Sequence, residues 1–279
     1  MKKSKKGRIF EIYNPIDMPL TRIYLTLFLL GVLLIPTDGL SQGHRGLGEP
    51  PLNKKLIELP AIGPDDVILV YQGFIVNYNT KWLIPNWVAY ELTAEEVDGR
   101  IPRAKGFGMD MDYREKQAMR EDYSNTGWDK GHMAPSADMK WSQTAMNESF
   151  YLTNICPQDR TLNGRDWHTL EKRVREWAIE YGVVWVVCGP YVLDNTYGTI
   201  GDQSVVVPDG FFKAILRKEG RKYTAIAFLL ENSKKRQPIH DTVVSVDAVE
   251  ALVGYDLFTN LRKHIEESVE SRSNIRDWK

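Results

Sequence analysis

The chain has 279 residues, of which 43% are hydrophobic and 26% are charged, and its formal net charge is −1. These values are ordinary for a soluble globular protein and exclude the classes that have an extreme composition or charge. The length is sufficient for one large core, and no repeat of fixed period is visible in the sequence. We therefore predict one main domain.

The first 41 residues have the pattern of a secretory signal peptide. Residues 1–8 are basic, and the apolar run IYLTLFLLGVLLI at residues 23–35 is followed by a proline and small residues. A helix of this length would span about 20 Å, less than the roughly 30 Å hydrocarbon core of a membrane. We therefore predict export to the periplasm or the cell exterior after cleavage near Ser41, with no stable membrane association afterwards. An uncleaved N-terminal anchor is the alternative, and Met18 is a second candidate start.

Charge gives a mixed signal about nucleic acid as a partner. Without residues 1–41 the chain carries more acidic than basic residues, which argues weakly against a nucleic-acid enzyme. Local basic clusters would then have to attract the phosphates, unless these clusters are only solvated faces. The candidates are Arg160, Arg165, Lys172, Arg173, Arg175 and the KKR run at residues 234–236.

The two cysteines, Cys156 and Cys188, each end an apolar run typical of a strand. We expect two buried free thiols. A disulfide between neighbouring strands stays open, because sequence gives no distance between them. Neither cysteine has the surroundings of a nucleophile or a metal ligand.

The first half of the chain is predicted to begin with a leader and then to form strands. Residues 42–60 are rich in glycine, proline and charge and lead into a domain at residues 61–279. From Val67, two runs of aromatic and β-branched residues predict a hairpin that turns near residues 79–80. Residues 93–128 are predicted to be mostly irregular, and such a long irregular stretch is often functional.

The second half is predicted to mix helices and strands. A short helix at residues 142–150 and the strand FYLTNICP precede a helix at residues 166–180, whose apolar residues recur every three or four positions. Three strand-like runs and a final helix at residues 247–253 follow. This order predicts an α+β fold rather than a doubly wound sheet. No glycine-rich phosphate loop follows a strand, so nucleotide-fuelled chemistry is not expected.

Two polar segments have residues suited to phosphodiester hydrolysis: DKGHMAPSADM at residues 129–139 and NICPQDRTLNGRDWHTLE at residues 154–171. Hydrolysis needs a base for the attacking water and positive charge near the phosphate and the leaving oxygen. A neutral histidine suits the first task near pH 7, and a hard divalent ion held by oxygen atoms suits the second. His132 is the candidate base, and Asn163 and Glu171 offer oxygen atoms around the start of the later helix.

Each of these residues also has a structural interpretation. A lone histidine such as His132 is usually structural. Asn163 could be a turn residue or a helix cap before Gly164. Glu171 could form a helix salt bridge with Arg175, four residues later. The joint spacing of the three residues, rather than any one of them, favours catalysis.

The order of the segments resembles the DNA/RNA non-specific endonuclease family, the sugar-non-specific ββα-metal nucleases. The matching pieces, between about residues 73 and 260, are PNWVAYEL, DKGHMAPSADM, FYLTNICPQ, LNGRDWHTLE and VDAVEALVGYDLF. The resemblance implies a ββα-metal nuclease fold, with a mixed or antiparallel sheet and flanking helices. It also implies a Mg²⁺-dependent endonuclease, with Mn²⁺ as a substitute ion. Such an enzyme would cut DNA and RNA without sequence specificity and leave 5′-phosphate ends.

The resemblance also implies roles for single residues. His132 would be the general base, Asn163 the direct ligand of Mg²⁺, and Glu171 the carboxylate that orients metal-bound water. Arg103 would contact the phosphate, with Arg100 as a rival. A further set would shape the site or bind phosphate, and it comprises Asp129, Lys130, Asn154 and Arg165. At the second motif position the family more often has arginine, and Lys130 keeps the charge but lacks the bidentate geometry.

Two other functions stay open. A relative that binds nucleic acid without cleaving it is one, although the complete set of catalytic residues argues against it. A phosphodiesterase for a smaller diester is the other. A metal-free hydrolase is disfavoured because the sequence has no GxSxG motif. The sequence leaves open the biological purpose, the preference for single or double strands, a homodimer and a protein inhibitor.

Overall fold

A seven-stranded sheet forms the centre of the described chain, residues 56–278 of a computed structural model. The predicted signal or anchor at residues 1–41, with Met18, and most of the predicted leader lie outside the described residues. The strands are β1 (Val67–Val70), β2 (Ile75–Asn79), β3 (Ile84–Thr93), β4 (Asp129–His132), β5 (Ile155–Gln158), β6 (Val183–Tyr191), β7 (Thr199–Ile200), β8 (Val205–Val206), β9 (Gly210–Glu219), β10 (Lys222–Glu231) and β11 (Val243–Val244).

The order of strands in the large sheet is β1-β2-β3-β6-β9-β10-β11, and all of its pairings are antiparallel. Strands β4 and β5 form a separate antiparallel pair, as do β7 and β8. A π-helical segment, Leu162–Trp167, leads directly into the longest helix. The α-helices are α1 (Ala94–Val97), α2 (Gln143–Glu148), α3 (His168–Tyr181), α4 (Val246–Val253) and α5 (Lys263–Glu270).

Both faces of the sheet are covered, so its central strands are buried on both sides. In β6, Val184 and Val186 belong to a first core that includes residues of α3 and β5, whereas Trp185 and Val187 belong to a second core with α4 and α5. Successive side chains of a strand point to opposite faces, which explains why the run VVWVVC is uninterrupted. The sheet and the two cores that cover its faces therefore divide the described chain into three layers.

The first layer contains a ββα unit made of β4, β5 and α3. The predicted apolar residues of the helix, including Trp167 and Trp177, are buried in the first core. Trp177 stacks on Phe228 of β10 with ring centroids 6.2 Å apart, which fixes α3 against the sheet. The strand pair β4–β5 lies on the same side of the sheet as this helix.

The α+β prediction is confirmed, and most of the predicted elements are present. The hairpin that turns near residues 79–80 forms between β2 and β3, and residues 93–128 are mostly irregular. The predicted strand FYLTNICP is a 3₁₀ turn, Leu152–Asn154, followed by the short β5. Helix α5 was not predicted, because its apolar positions are few.

Two further features of the sequence are resolved by the packing. Cys156 and Cys188 are buried free thiols, as expected, and their strands β5 and β6 are not hydrogen-bonded neighbours. Leu59, near the end of the predicted leader, is buried in the second core. The side chain of Asn260 donates a hydrogen bond to the carbonyl of Leu56 over 2.7 Å. The end of the predicted leader therefore packs against the domain.

We predict that Gly131→Ala destabilises the protein by about 1–3 kcal/mol, the usual cost of overpacking. A Cβ atom at this position of β4 would overlap the buried side chain of Gln158 on β5. Gly164→Ala is the matched control, because a Cβ atom there would meet no other atom within 4 Å. Chemical denaturation measures both variants, and equal stability of the two would contradict the packing described here.

Candidate active site

His132 is the last residue of β4, and its side chain is buried between two aromatic rings. Its ring centroid lies 5.2 Å from that of Phe107 and 5.0 Å from that of Phe150, and only 8% of the residue is exposed. Its Nε2 atom has no hydrogen-bond partner among the described residues. An unpaired buried polar atom is costly, and it marks a position where water or a ligand can supply the partner.

The protonation state of His132 follows from this burial. Desolvation and, second, the positive charge of Arg103 lower the pKa of the imidazole to about 3. The ring is therefore neutral at pH 7 and can accept a proton, which is the first requirement of a general base. A substrate phosphate beside Arg103 would offset the positive charge of that residue and favour protonation of His132.

Arg103 lies beside His132, whereas its rival Arg100 does not. The guanidinium carbon of Arg103 is 4.9 Å from the centre of the Phe150 ring, and the group donates a hydrogen bond to the hydroxyl of Ser136. Arg100 is exposed and contacts the carboxylate of Asp98 at 4.0 Å. Of the two arginines, only Arg103 is placed to contact a phosphate next to the imidazole.

A basic cleft of about 540 Å³ opens next to the histidine. Its lining includes Arg103, Lys105 and Arg120 and no acidic residue, together with the aromatic rings of Phe107 and Phe150. A concave surface with charge of one sign concentrates oppositely charged ligands. Its basic and aromatic groups suit phosphates and bases of a nucleic-acid strand.

Lys130 lies at the edge of this cleft. Its Nζ atom is 5.0 Å from the ring centre of Tyr123 and 5.9 Å from that of Phe107, the ring that also contacts His132. Burial and the nearby charge of Arg120 lower the pKa of this lysine. Lys130 and His132 alternate with Gly131 along β4, so both side chains point to the same side of the strand.

Asn163 lies in the π-helical segment and is oriented by Asp129 from β4. Its side-chain nitrogen donates to Oδ2 of Asp129 over 3.2 Å, and Oδ1 of the same carboxylate accepts from Arg160 over 3.2 Å. Because the amide nitrogen is held in this way, the amide oxygen of Asn163 is available as a ligand. Segments of π-helix are frequent at functional sites, since they redirect one side chain within a helix.

Glu171 lies in the first turn of α3, and the salt bridge with Arg175 that was its alternative interpretation does not form. Its Oε2 atom is 3.6 Å from Nδ1 of His168, and 9% of the residue is exposed. Arg175 instead contacts the buried carboxylate of Asp138 at 2.7 Å. Glu171 and Arg175 therefore form no direct ion pair, although, against the opposing effect of burial, the charges of Asp138 and, to a smaller extent, Glu171 raise the pKa of Arg175.

A buried polar network behind Glu171 was not predicted. Asp138 accepts hydrogen bonds from Arg175 over 2.7 Å and from Tyr90 over 3.0 Å, and burial raises the pKa of its carboxyl to about 6. The fully buried Lys213 of β9 adds positive charge, with Nζ 4.5 Å from the centre of the Trp167 ring. A single lysine within the apolar run FFKAIL was the sequence signal for this network.

Asn154 and Arg165 have different positions relative to the site. The side chain of Asn154 accepts from the backbone N–H of Ala134 and donates to the carbonyls of Ala134 and Ser149, each over 2.9 Å. Asn154 therefore fixes the chain that follows His132. Arg165 is exposed on the π-helical segment, and its carbonyl accepts hydrogen bonds from the Thr169 hydroxyl and from the backbone N–H of His168.

The described residues have the ββα-metal nuclease fold: two antiparallel strands, the first of which ends in a histidine, are followed by a helical segment that carries an asparagine and a glutamate. The sequence profile of the DNA/RNA non-specific endonuclease family matches residues 53–264, and the chain belongs to this family. The resemblance that the motifs indicated is therefore confirmed.

Three relatives illustrate the range of the similarity. The mitochondrial nuclease EXOG of Danio rerio is 34% identical over 69% of this chain and 61% of its own length, so the chain spans less than two thirds of that relative. Mitochondrial endonuclease G of Homo sapiens is 30% identical over 68% of this chain and 69% of its length. The mitochondrial nuclease of Saccharomyces cerevisiae is 33% identical over 77% of this chain and 74% of its own length.

A solved structure has the same fold. It is the crystal structure of an EndoG/EndoGI complex, which describes a mechanism of EndoG inhibition. The superposition has a TM-score of 0.64 at 25% sequence identity and covers 77% of this chain and 96% of that chain. The predicted ββα-metal nuclease fold is confirmed by this similarity.

The prediction of export is wrong. The relatives named above are mitochondrial nucleases, which points to mitochondria rather than to secretion. Leaders for several destinations share basic and apolar residues, so the pattern in residues 1–41 does not identify one destination. Within residues 56–278, none of the helices has the length and apolar character needed to cross a bilayer.

We predict that the ring resonances of His132 stay unchanged between about pH 8 and about pH 5 in the metal-free chain. Its pKa lies below the ordinary value of about 6.5, so a fall in pH through that value leaves the imidazole neutral. Heteronuclear NMR follows the resonance, which is assigned by its loss in His132→Gln. A titration midpoint near the ordinary value would show that the ring is solvated.

Proposed function

We propose that this chain is a nuclease that hydrolyses phosphodiester bonds of DNA and RNA without sequence specificity. The observation that carries the proposal is the buried, neutral His132, whose unpaired Nε2 atom lies beside Arg103 at a basic cleft. Contacts to phosphate and sugar carry no sequence information, which agrees with a cleft lined by arginine and lysine. Family membership and the nuclease names of the relatives support the same activity.

In this proposal His132 acts as the general base. Its Nε2 atom accepts a proton from water as the water oxygen forms a bond to phosphorus. The bond between phosphorus and the 3′ oxygen breaks, and that oxygen takes up a proton from solvent, so the products carry 5′-phosphate and 3′-hydroxyl ends. Arg103 binds a non-bridging oxygen of the phosphate and stabilises the charge that develops there.

The residues present fit a hard divalent ion, Mg²⁺ or its substitute Mn²⁺. Asn163 offers an amide oxygen and Glu171 a carboxylate, which are the ligand atoms that such ions prefer. Asn163 would hold the ion directly, and Glu171 would orient a water bound to it. When bound, the ion would stabilise charge on the phosphate and on the leaving oxygen. Asp129 contributes by fixing the orientation of the Asn163 amide.

We predict that His132→Ala lowers the rate of plasmid nicking by about 10²–10⁴-fold, the usual contribution of a general base. Asn163→Ala is expected to abolish Mg²⁺-dependent nicking, and EDTA to stop the wild type. His240→Ala is the matched control, because this exposed histidine lies outside the site. Circular dichroism verifies that each variant is folded, and full activity in a folded His132→Ala or Asn163→Ala protein would refute the mechanism.

The same assay separates the proposed activity from its two alternatives. Plasmid, RNA and a chromogenic phosphodiester are tested side by side with Mg²⁺ and with Mn²⁺. Cleavage of plasmid and RNA is the expected result. Binding of both without cleavage would indicate a catalytically silent relative, and turnover of the small diester alone would indicate a phosphodiesterase.

We predict that Asp129→Ala raises the Mg²⁺ concentration needed for half-maximal cleavage by about 10–100-fold, as expected when a group that orients a ligand is lost. The matched control is Arg160→Ala, which removes the other partner of the same carboxylate. Arg160 is exposed, so its loss is expected to change the Mg²⁺ dependence little. Equal Mg²⁺ dependence of Asp129→Ala and the wild type would contradict the proposed role.

A further inference from the structure

A cluster of three carboxylates lies between α4 and α5, on the face of the sheet opposite the candidate active site. Asp247 and Glu250 belong to α4, and Glu270 is the last residue of α5. One carboxylate oxygen of each residue lies within 4.8 Å of the others. No lysine, arginine or histidine of residues 56–278 forms an ion pair with any of the three.

Glu270 is the buried member of the cluster, and one of its carboxylate oxygens lacks a hydrogen-bond donor among the described residues. The residue is only 4% exposed, and its Oε1 atom is buried without a hydrogen-bond partner in the described chain. Glu250 differs, because its Oε1 atom accepts a hydrogen bond from the backbone N–H of Leu257 over 2.7 Å. Glu270 is therefore a buried carboxylate that lies beside two others and has an oxygen without a donor from residues 56–278, and buried charges in proteins are paired or coordinate metals.

The electrostatics of the cluster agree with this geometry. Burial and, second, the charge of Glu250 raise the pKa of Glu270 to about 9. Burial likewise raises the pKa of Glu250 to about 7, and the neighbouring Asp256 and Asp247 add to the effect. Without a positive charge between them, the three carboxylates repel one another when ionised.

We propose that Asp247, Glu250 and Glu270 bind a hard divalent cation, Ca²⁺ or Mg²⁺, between α4 and α5. All three ligands are oxygen atoms, which excludes ions that prefer nitrogen or sulfur, and water completes the coordination shell. The ion joins the two helices that cover the second core, so its effect is on the stability of that layer. Nucleic acid and the candidate catalytic residues take no part in this binding.

The test is a titration of the EDTA-treated full chain with Ca²⁺ or with Mg²⁺, in the Asn163→Ala background so that the proposed active-site ligand is absent. Thermal unfolding and isothermal calorimetry are the readouts, because binding to the folded state alone raises Tm. We predict a saturable rise in Tm. Glu270→Gln is expected to weaken the apparent affinity by about tenfold or more, since affinity depends on the charge of the ligands.

The matched control is Glu267→Gln, on the same helix, because Glu267 is exposed and pairs with Lys263 instead. This variant should bind the cation as tightly as its parent. If Glu270→Gln does not fold, Asp247→Asn, which changes an exposed residue, gives the decision. No rise in Tm with either cation, or equal affinity in the cluster variant and its parent, would overturn the proposal.

Discussion

Burial of both faces of the central sheet is the constraint on which the rest of the structure depends. An antiparallel sheet frequently leaves one face to solvent, but here most residues of β6 and of β9 are buried on both faces, so each face must be covered. The ββα unit covers one face, and α4 and α5 cover the other. The position of the candidate site is thus a consequence of packing. His132 lies at the end of β4, and this strand belongs to the ββα unit that packs on one face of the sheet.

The buried ion pair between Asp138 and Arg175 links this packing to the chemistry. Asp138 follows the histidine motif, Arg175 lies on α3, and Tyr90 lies on β3, so one carboxylate connects three elements. A buried ion pair is weak evidence for stability, because desolvation offsets much of its attraction. Its geometric effect is clearer, since it joins α3 to the segment that follows β4. The helix that carries Glu171 is therefore held in a fixed position relative to His132.

Local patterns in the sequence predicted more of this protein than long-range ones did. The helix was predicted from apolar residues that recur every three or four positions, Trp167 and Trp177 among them. Strand β6 was predicted from an uninterrupted apolar run. Both predictions use only residues that are close together in the sequence. Neighbouring residues do not decide between Arg103 and Arg100. That choice depends on which of the two side chains reaches the ring of Phe150, which is distant in the sequence. The partner of Arg175 likewise lies 37 residues away rather than four. The prediction of export was wrong, because the pattern of basic and apolar residues in a leader does not identify one cellular destination.

The chain has an excess of acidic residues and yet contains a basic cleft. The two are compatible because an acidic cluster lies far from the cleft. Charges act on one another over about 8 Å at physiological ionic strength, and layers that pack on a sheet lie about 10 Å from it. The carboxylates of Asp247, Glu250 and Glu270 are on the far layer, so the sheet and its two cores separate them from Arg103 and Lys105. The net charge averages over these faces, whereas an approaching phosphate meets only one of them. A nearly neutral or acidic total is therefore compatible with a strongly basic site, and it is a poor criterion against a nucleic-acid substrate.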